Sequence, residues 1–554
     1  MGKRNEIGTA KSGDEPVYLT DDQRATHTHV IGASGSGKSK LLEQMIRRDI
    51  MAGNGLCLID PHGTLYDRLV QWCALKDVGS KRQKVHLFEP TVQDWTFGFN
   101  PLGFEVDDRY EADYCVDSVM KVFSQIWGGE DTTKTPLLKR CLKMTLFTLV
   151  ANGMTLLEAR ELTSTEDPRS IRAFLTSNLE DSIYRQEWKD MDSAGKKRFN
   201  EYFSSTNNRL FDFLSAQTVK HIIGQQARTL DVRRIMDNGD ILLVDLSSRN
   251  TRFSREHARL VGSLMVNDML LKARRRAEGS QPFHLYIDEC YRYLNEDIED
   301  ILFQARKFGL HLTLSHQDLS QLGPPDGSIR GAVMGGAQTK IVFRIGKMED
   351  AKTFAEQIFA GEIDYEEPKK EFVSYQTVGH EPTWLLNWAK QRSSTSGWAE
   401  GKQESEMTDE EGETVRKGTA ETKQRTGSEQ TGYSVGVRQA ERPIIEETYQ
   451  QAYTLQEQIH KLAAYIKSQD TRNAILKTPA DKSRRFEVAE VPDYPADDQR
   501  LNEMVAEFKQ ARFERSEFVK PTDKAADEIQ ERQQQLVRAA NKGTQMREEP
   551  APWR

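Results

Sequence analysis

The residues best placed to do chemistry begin with an octapeptide, Gly32-Ala33-Ser34-Gly35-Ser36-Gly37-Lys38-Ser39, which fits the spacing GxxxxGK[ST] in full. Glycines at these positions let backbone N–H groups turn inward around phosphate, because a Cβ would block both the approach and the positive φ angles. The pattern predicts that Lys38 reaches the β- and γ-phosphates of ATP and that the Ser39 hydroxyl joins a Mg²⁺ shell. Hydrolysis also needs a carboxylate at the end of a neighbouring strand. Three apolar runs end in aspartate, at Asp60, Asp245 and Asp288, and only Asp288 is followed by a second carboxylate, Glu289. Asp288 is therefore the predicted metal carboxylate, and Glu289 the base that accepts the proton of an attacking water. Asp60 and Asp245 read as turn caps. His62, in Asp60-Pro61-His62-Gly63, is a further group within range of a nucleotide. Gln317 just follows the run Leu310–Ser315, where it can contact the γ-phosphate or the attacking water and report hydrolysis. Arg306 and Lys307 lie beside the apolar row Ile298, Ile301, Leu302, Ala305, Phe308. Taken singly, the Gln reads as a turn residue and the Arg as a solvated helix face; together with the phosphate loop they become site residues.

The elements that must position these groups are short and apolar. THVIG (28–32), GLCLID (55–60) and KVHLFEP (84–90) read as buried strands, with Leu41, Leu42, Met45, Ile46 and Ile50 at helical spacing between the first two. Strand, helix and strand in this span make a βαβ unit and so a parallel sheet. ILLVDLS (241–247), FHLYIDEC (283–290), LHLTLS (310–315) and TKIVFRIG (339–346) supply further strands. The expected organisation is a tail at 1–19, an α/β domain from 20–104 and 223–390, and an all-α insertion at 105–222. Residues 391–440, rich in Ser, Thr, Gly, Glu and Gln, cannot offset their ordering entropy and read as a disordered linker. A C-terminal module follows at 441–554: a helix striped by Leu455, Ile459, Leu462 and Ile466, a hairpin of NAILK (473–477) with RFEVAEV (485–491), and a charged helix to about 540. It reads as a partner-recognition module on a flexible tether.

A net charge of −8 argues against a chain that coats nucleic acid non-specifically, so any DNA contact must come from a local stripe. The densest basic cluster is Lys272-Ala273-Arg274-Arg275-Arg276, which reads as a solvated helix C-terminus, and no basic–aromatic interleaving accompanies it. Five scattered cysteines without a CxxC pair exclude a disulfide framework or zinc finger and suit a reducing compartment. With no apolar leader and no stretch of 18 apolar residues, the expectation is a soluble cytoplasmic chain without a transmembrane segment of its own.

Read together, HVIGASGSGKS, LIDPHG, FNPL (99–102), ILLVDLS, LYIDEC, QARKFGLHLTLSHQDLSQL (304–322) and TKIVFRIG resemble the HerA/FtsK branch of the RecA-like ATPases. Within it they most resemble the conjugative coupling proteins of type IV secretion, the TraG/TraD type, over about residues 20–390. The resemblance implies a RecA-like P-loop NTPase core with a mostly parallel sheet, an inserted all-α domain, and a C-terminal extension after the linker. It further implies a homo-hexameric ring that draws DNA, single- or double-stranded being left open, through its centre using ATP and Mg²⁺ bound between subunits. By position Gln317 corresponds to the sensor glutamine, Arg306 to an arginine finger, and Arg344 to a second finger candidate. Coupling proteins usually begin with a membrane anchor, whereas this sequence reaches its phosphate loop by residue 32. The implied location is the cytoplasm, peripheral to the inner membrane through a membrane-embedded secretion component, with a relaxase as another partner. Two alternatives stay open: a soluble HerA-like DNA-processing or defence motor, and a secretion-assembly ATPase that does not bind DNA.

Overall fold

Strands buried on both faces read as continuous apolar runs, and that is how the central strands of this chain are built. The computed structural model describes residues 4–13, 15–79, 83–103, 109–127, 136–167, 170–227, 229–249, 251–295, 298–363, 373–393, 399–408, 414–424, 430–449, 453–495 and 497–542. They divide into two units, Met1–Glu362 with Ile459–Arg554, and Ile363–Gln458.

In the first unit the strands, in chain order, are β1 (Arg4–Ala10), β2 (Pro16–Thr20), β3 (Thr28–Ile31), β4 (Gly55–Asp60), β5 (Val85–Phe88), β6 (Trp95–Phe97), β7 (Ile241–Asp245), β8 (Phe283–Ile287), β9 (Leu310–His316) and β10 (Thr339–Val342). The second unit holds β11 (Val373–Ser393), β12 (Ala399–Thr408), β13 (Thr414–Gln424) and β14 (Gln430–Tyr449); the chain then returns to the first with β15 (Asn473–Lys477), β16 (Arg484–Val488) and β17 (Val519–Pro521). Eleven strands form one sheet in the order β2-β1-β16-β15-β10-β3-β9-β8-β4-β7-β5. The seven from β10 to β5 are parallel, and the four beyond β10 are antiparallel. Between Arg109 and Asn238 every described element is helical, and Trp188 and Phe203 stack in the core of that region, 5.4 Å between centroids.

Both chain ends differ from expectation. Residues 1–19, expected as a tail, supply β1 and most of β2; of the stretch 441–554 expected as a tethered module, the part before Ile459 falls in the second unit and the part from Ile459 on belongs to the first, where it supplies two strands of the large sheet. The hairpin β15–β16 pairs as its sequence suggests, Ala474 opposite Phe486, but its other edge joins β10, Ile341 opposite Leu476. An uncovered β10 would expose a row of unpaired backbone groups, and the hairpin closes it. The helix Gln499–Arg515 is tied to the far end of the sheet, where Lys509 pairs with Glu89 at 2.7 Å. The helix Thr522–Lys542 anchors on the helical region through Arg532, which donates to Glu158 at 2.8 Å. The expected linker, 391–440, falls in the second unit, where the described segments are strands of an antiparallel sheet ordered β13-β12-β11-β14.

Candidate nucleotide site

Between β3 and the helix Lys38–Ala52 the glycine-rich loop has the conformation its sequence demands. Gly35 and Gly37 have φ of 71° and 116°. A Cβ on Gly32 would stand 2.5 Å from the Phe343 Cβ, and one on Gly37 3.0 Å from the Arg472 Cα. The helix has no side-chain cap and no acidic residue in its first turn, which leaves its N-terminus fit for an anion. Lys38 is buried and donates to the Gly32 carbonyl at 2.6 Å. Burial lowers its pKa below the ordinary lysine range, and the carboxylates of Asp288 and Glu289 oppose that shift. Ser36 Oγ is buried with no hydrogen-bond partner among the described residues, while Ser34 and Ser39 face solvent. A glycine cradle, an orphaned hydroxyl and an inward ammonium together fit a phosphate chain.

Parallel register brings the other groups to the same edge. Ile31 of β3 pairs with His316 of β9, Ile287 of β8 with Leu314, and Ile59 of β4 with Ile287, so the loop, Gln317, Asp288 and Asp60 follow one another across the strand ends. Gln317 Nε2 donates to Glu289 Oε1 at 2.6 Å, and the other carboxylate oxygen of Glu289 is buried with no partner among the described residues. Glu289 holds φ at 46°, the left-handed region that L-residues with a side chain avoid. Strain of this kind persists where the surroundings over-determine a conformation. Beneath Gln317, the buried His316 and His29 meet Nε2 to Nε2 at 2.6 Å, and His316 Nδ1 lies 2.9 Å from the Asp318 carbonyl. If Nδ1 is the donor there, the His316 Nε2 accepts from His29, which ties the strand before the phosphate loop to the strand before Gln317. Burial and, for His29, the adjacent imidazole push both rings below the ordinary histidine range, to about 4 for His316.

Asp60 and Asp245 face each other in register. Asp60 accepts from His62 N at 2.8 Å and Tyr66 N at 2.9 Å, the turn cap its position predicts. Burial, then the charge of Asp288, pushes Asp60 up to about 7. The His62 side chain is exposed. Arg344 follows β10, and its carbonyl accepts from Ala33 N at 2.7 Å, so it borders its own phosphate loop. Arg306 lies elsewhere: it is exposed in the turn Ala305–Phe308, before β9, at the opposite edge of the sheet from Gln317. Seven strand residues separate those edges, roughly 20 Å.

Sequence reasoning missed three contributors. Phe343 floors Gly32. Arg472, from the C-terminal stretch, donates its backbone N–H to the Ser36 carbonyl at 2.8 Å. Arg249 bridges Asp245 and Asp67; its place four residues after Asp245 was the available signal.

No family model matches the sequence, and no curated protein matches it. Among solved structures, the plasmid coupling protein TrwB in complex with a non-hydrolysable ATP analogue aligns over 90% of this chain and 92% of that chain, with a TM-score of 0.51 and 15% identity. The unbound bacterial conjugative coupling protein TrwB aligns over 89% and 90%, with a TM-score of 0.49 and 15% identity. VirB4 of Thermoanaerobacter pseudethanolicus aligns over 65% of this chain and 88% of that one, with a TM-score of 0.39 and 15% identity. The first likeness shows the fold: this chain has the RecA-like P-loop α/β fold that the motifs implied, with a large, mostly parallel sheet. Among the described residues no helix is long and apolar enough to cross a membrane.

Proposed function

We propose that this chain is an ATP-driven motor of the coupling-protein type, which moves DNA toward a conjugative type IV secretion apparatus. The observation that carries the reading is the 2.6 Å hydrogen bond between Gln317 and Glu289, on adjoining strand ends beside the Lys38 loop. A nucleotide-binding scaffold has no use for a buried, strained glutamate held by an exchangeable amide. A hydrolase has.

Lys38, Ser39 and the backbone from Gly32 to Gly37 would hold the phosphates of ATP, and Ser39 with Asp288 would hold Mg²⁺, which when bound would offset phosphate charge. Lys38 exchanges the Gly32 carbonyl for a phosphate oxygen. Gln317 exchanges Glu289 for a phosphate oxygen or a water, and the released Glu289 Oε1 accepts that water's proton. The Gln317 amide thus senses whether a γ-phosphate is present, and the His29–His316 contact carries the change between two strands of the sheet. Arg306, too far from its own loop, is the residue a neighbouring subunit offers across a homo-hexameric interface, so that hydrolysis depends on a closed ring. The TrwB fold and the coupling-protein motifs support DNA as the cargo, and a secretion component or relaxase at the inner membrane as the partner.

ATP turnover measured alone, with single-stranded DNA and with double-stranded DNA tests the reading. Stimulation by either form, lost in Lys38→Ala and in Glu289→Gln, is the expected result. Turnover indifferent to both would overturn the DNA motor in favour of a secretion-assembly ATPase.

A further inference from the structure

The basic run 272–276 does not behave as one unit. Arg276 is buried and consumed by the fold, donating to the carbonyls of Phe308 at 3.0 Å and Gln281 at 2.9 Å and pairing with Asp237. Lys272, Arg274 and Arg275 instead line a cavity of about 520 Å³, with Arg233 and Arg234 from the helix Val232–Asn238 on another wall. Of the five cations on the walls three are ion-paired within the fold, Lys272 with Asp268 at 3.0 Å, Arg233 with Asp237 at 3.8 Å and Arg234 with Glu517 at 2.5 Å, while Asp231 caps its own helix; the charge offered to a ligand is that of Arg274 and Arg275. Cys115 and Leu230 form a buried apolar floor. Tyr114, 160 residues before Arg274, brings its ring under that guanidinium, 5.5 Å from centroid to Cζ, and is 44% exposed. Arg274 Nη2 is buried without a hydrogen-bond partner among the described residues.

Two neighbouring guanidinium groups beside an exposed aromatic face and an apolar floor are the chemistry that grips single-stranded nucleic acid: the forks take phosphates and the ring takes a base. The volume suits about one nucleotide unit. Acidic peptides would satisfy the charge and leave the ring and floor without work. The helix Arg255–Ala273 ends at this cavity and the chain runs on from it into the start of β8, so the cavity lies at the edge of the sheet opposite Asp288. We infer that this cavity is a binding site for a single-stranded nucleic-acid segment, contacted through Arg274, Arg275 and Tyr114. The inference rests on the DNA-motor reading and gives it a location.

Binding of a labelled oligodeoxynucleotide to the full chain, followed by fluorescence anisotropy across a salt series, tests it. In R274E/R275E the affinity at low salt should fall about tenfold or more, and the slope of log K against log salt should shrink by roughly 1, the loss of one or two phosphate contacts. Tyr114→Leu should weaken binding about fivefold or more, while Tyr114→Phe, which keeps the ring face, stays within about twofold. Melting temperatures close to wild type exclude misfolding as the cause. Wild type that binds, with the three variants matching its affinity and slope, overturns this site and leaves the motor reading standing. Wild type that binds no oligonucleotide at any salt overturns both. Displacement by polyglutamate as readily as by competing oligonucleotide overturns the assignment to nucleic acid.

Discussion

Replacing Glu289 by alanine and by glycine should invert the usual ranking of those two residues. At an ordinary position glycine is the less stable, by roughly 0.5–1 kcal/mol, because it gives the unfolded chain more freedom. Glu289 has φ at 46°, where a residue bearing a Cβ pays roughly 1–2 kcal/mol. Both variants lose the same carboxylate, the same hydrogen bond from Gln317 and the same orphaned oxygen, so those contributions cancel between them. What remains is the backbone, and the glycine variant should be the more stable by roughly 0.5–1 kcal/mol, about 1 °C in melting temperature for a unit of this size. Calorimetry on the two variants side by side reads that difference. An alanine variant melting level with or above the glycine variant would refute a left-handed Glu289. Both should lose turnover by about 10²–10⁴-fold, as expected on removing a general base, and turnover near wild type in either would refute the assignment of Glu289.

Gly37→Ala places a Cβ against backbone of Arg472 at a φ of 116°, so affinity for an ATP analogue should fall by about tenfold or more in a titration; an unchanged value would mean that the loop need not hold this shape. Asp60 has its folded pKa raised from 3.8 to about 7, so the native state keeps a proton that the unfolded chain releases first. Stability from this residue is therefore lost as pH rises through that window, and Asp60→Asn should narrow the difference in melting temperature between pH 5 and pH 8; an unaltered difference counts against the raised carboxyl. Mixing Arg306→Ala subunits with wild type should depress turnover more steeply than their proportion, and a strictly proportional loss would rule out supply across a subunit interface.

That the glycine-rich loop, Asp288, Glu289 and Gln317 would meet at one edge of the sheet was legible because each is announced within a few residues of its own strand, by glycine spacing or by a carboxylate or amide closing an apolar run. The seven parallel strands were mostly legible for the same local reason: burial on both faces leaves a continuous apolar signature. The edge strands escaped. β1 mixes charged and polar with apolar residues, β2 alternates buried with exposed positions as suits a strand covered on one side, and β15–β16 read as a hairpin without revealing the strand it would cover.

Local chemistry, then, was written in the order of residues: which loop can wrap a phosphate, which strand ends carry its carboxylates, and which glutamine stands near them. Neighbourhood across the sheet was not, because register and crossover join segments hundreds of residues apart without leaving a mark on either. Only folding put the Arg472 backbone on the phosphate loop, imidazole against imidazole between His29 and His316, Arg306 on the far edge, and Tyr114 beneath a cluster of arginines that the linear chain shows as a plain basic run.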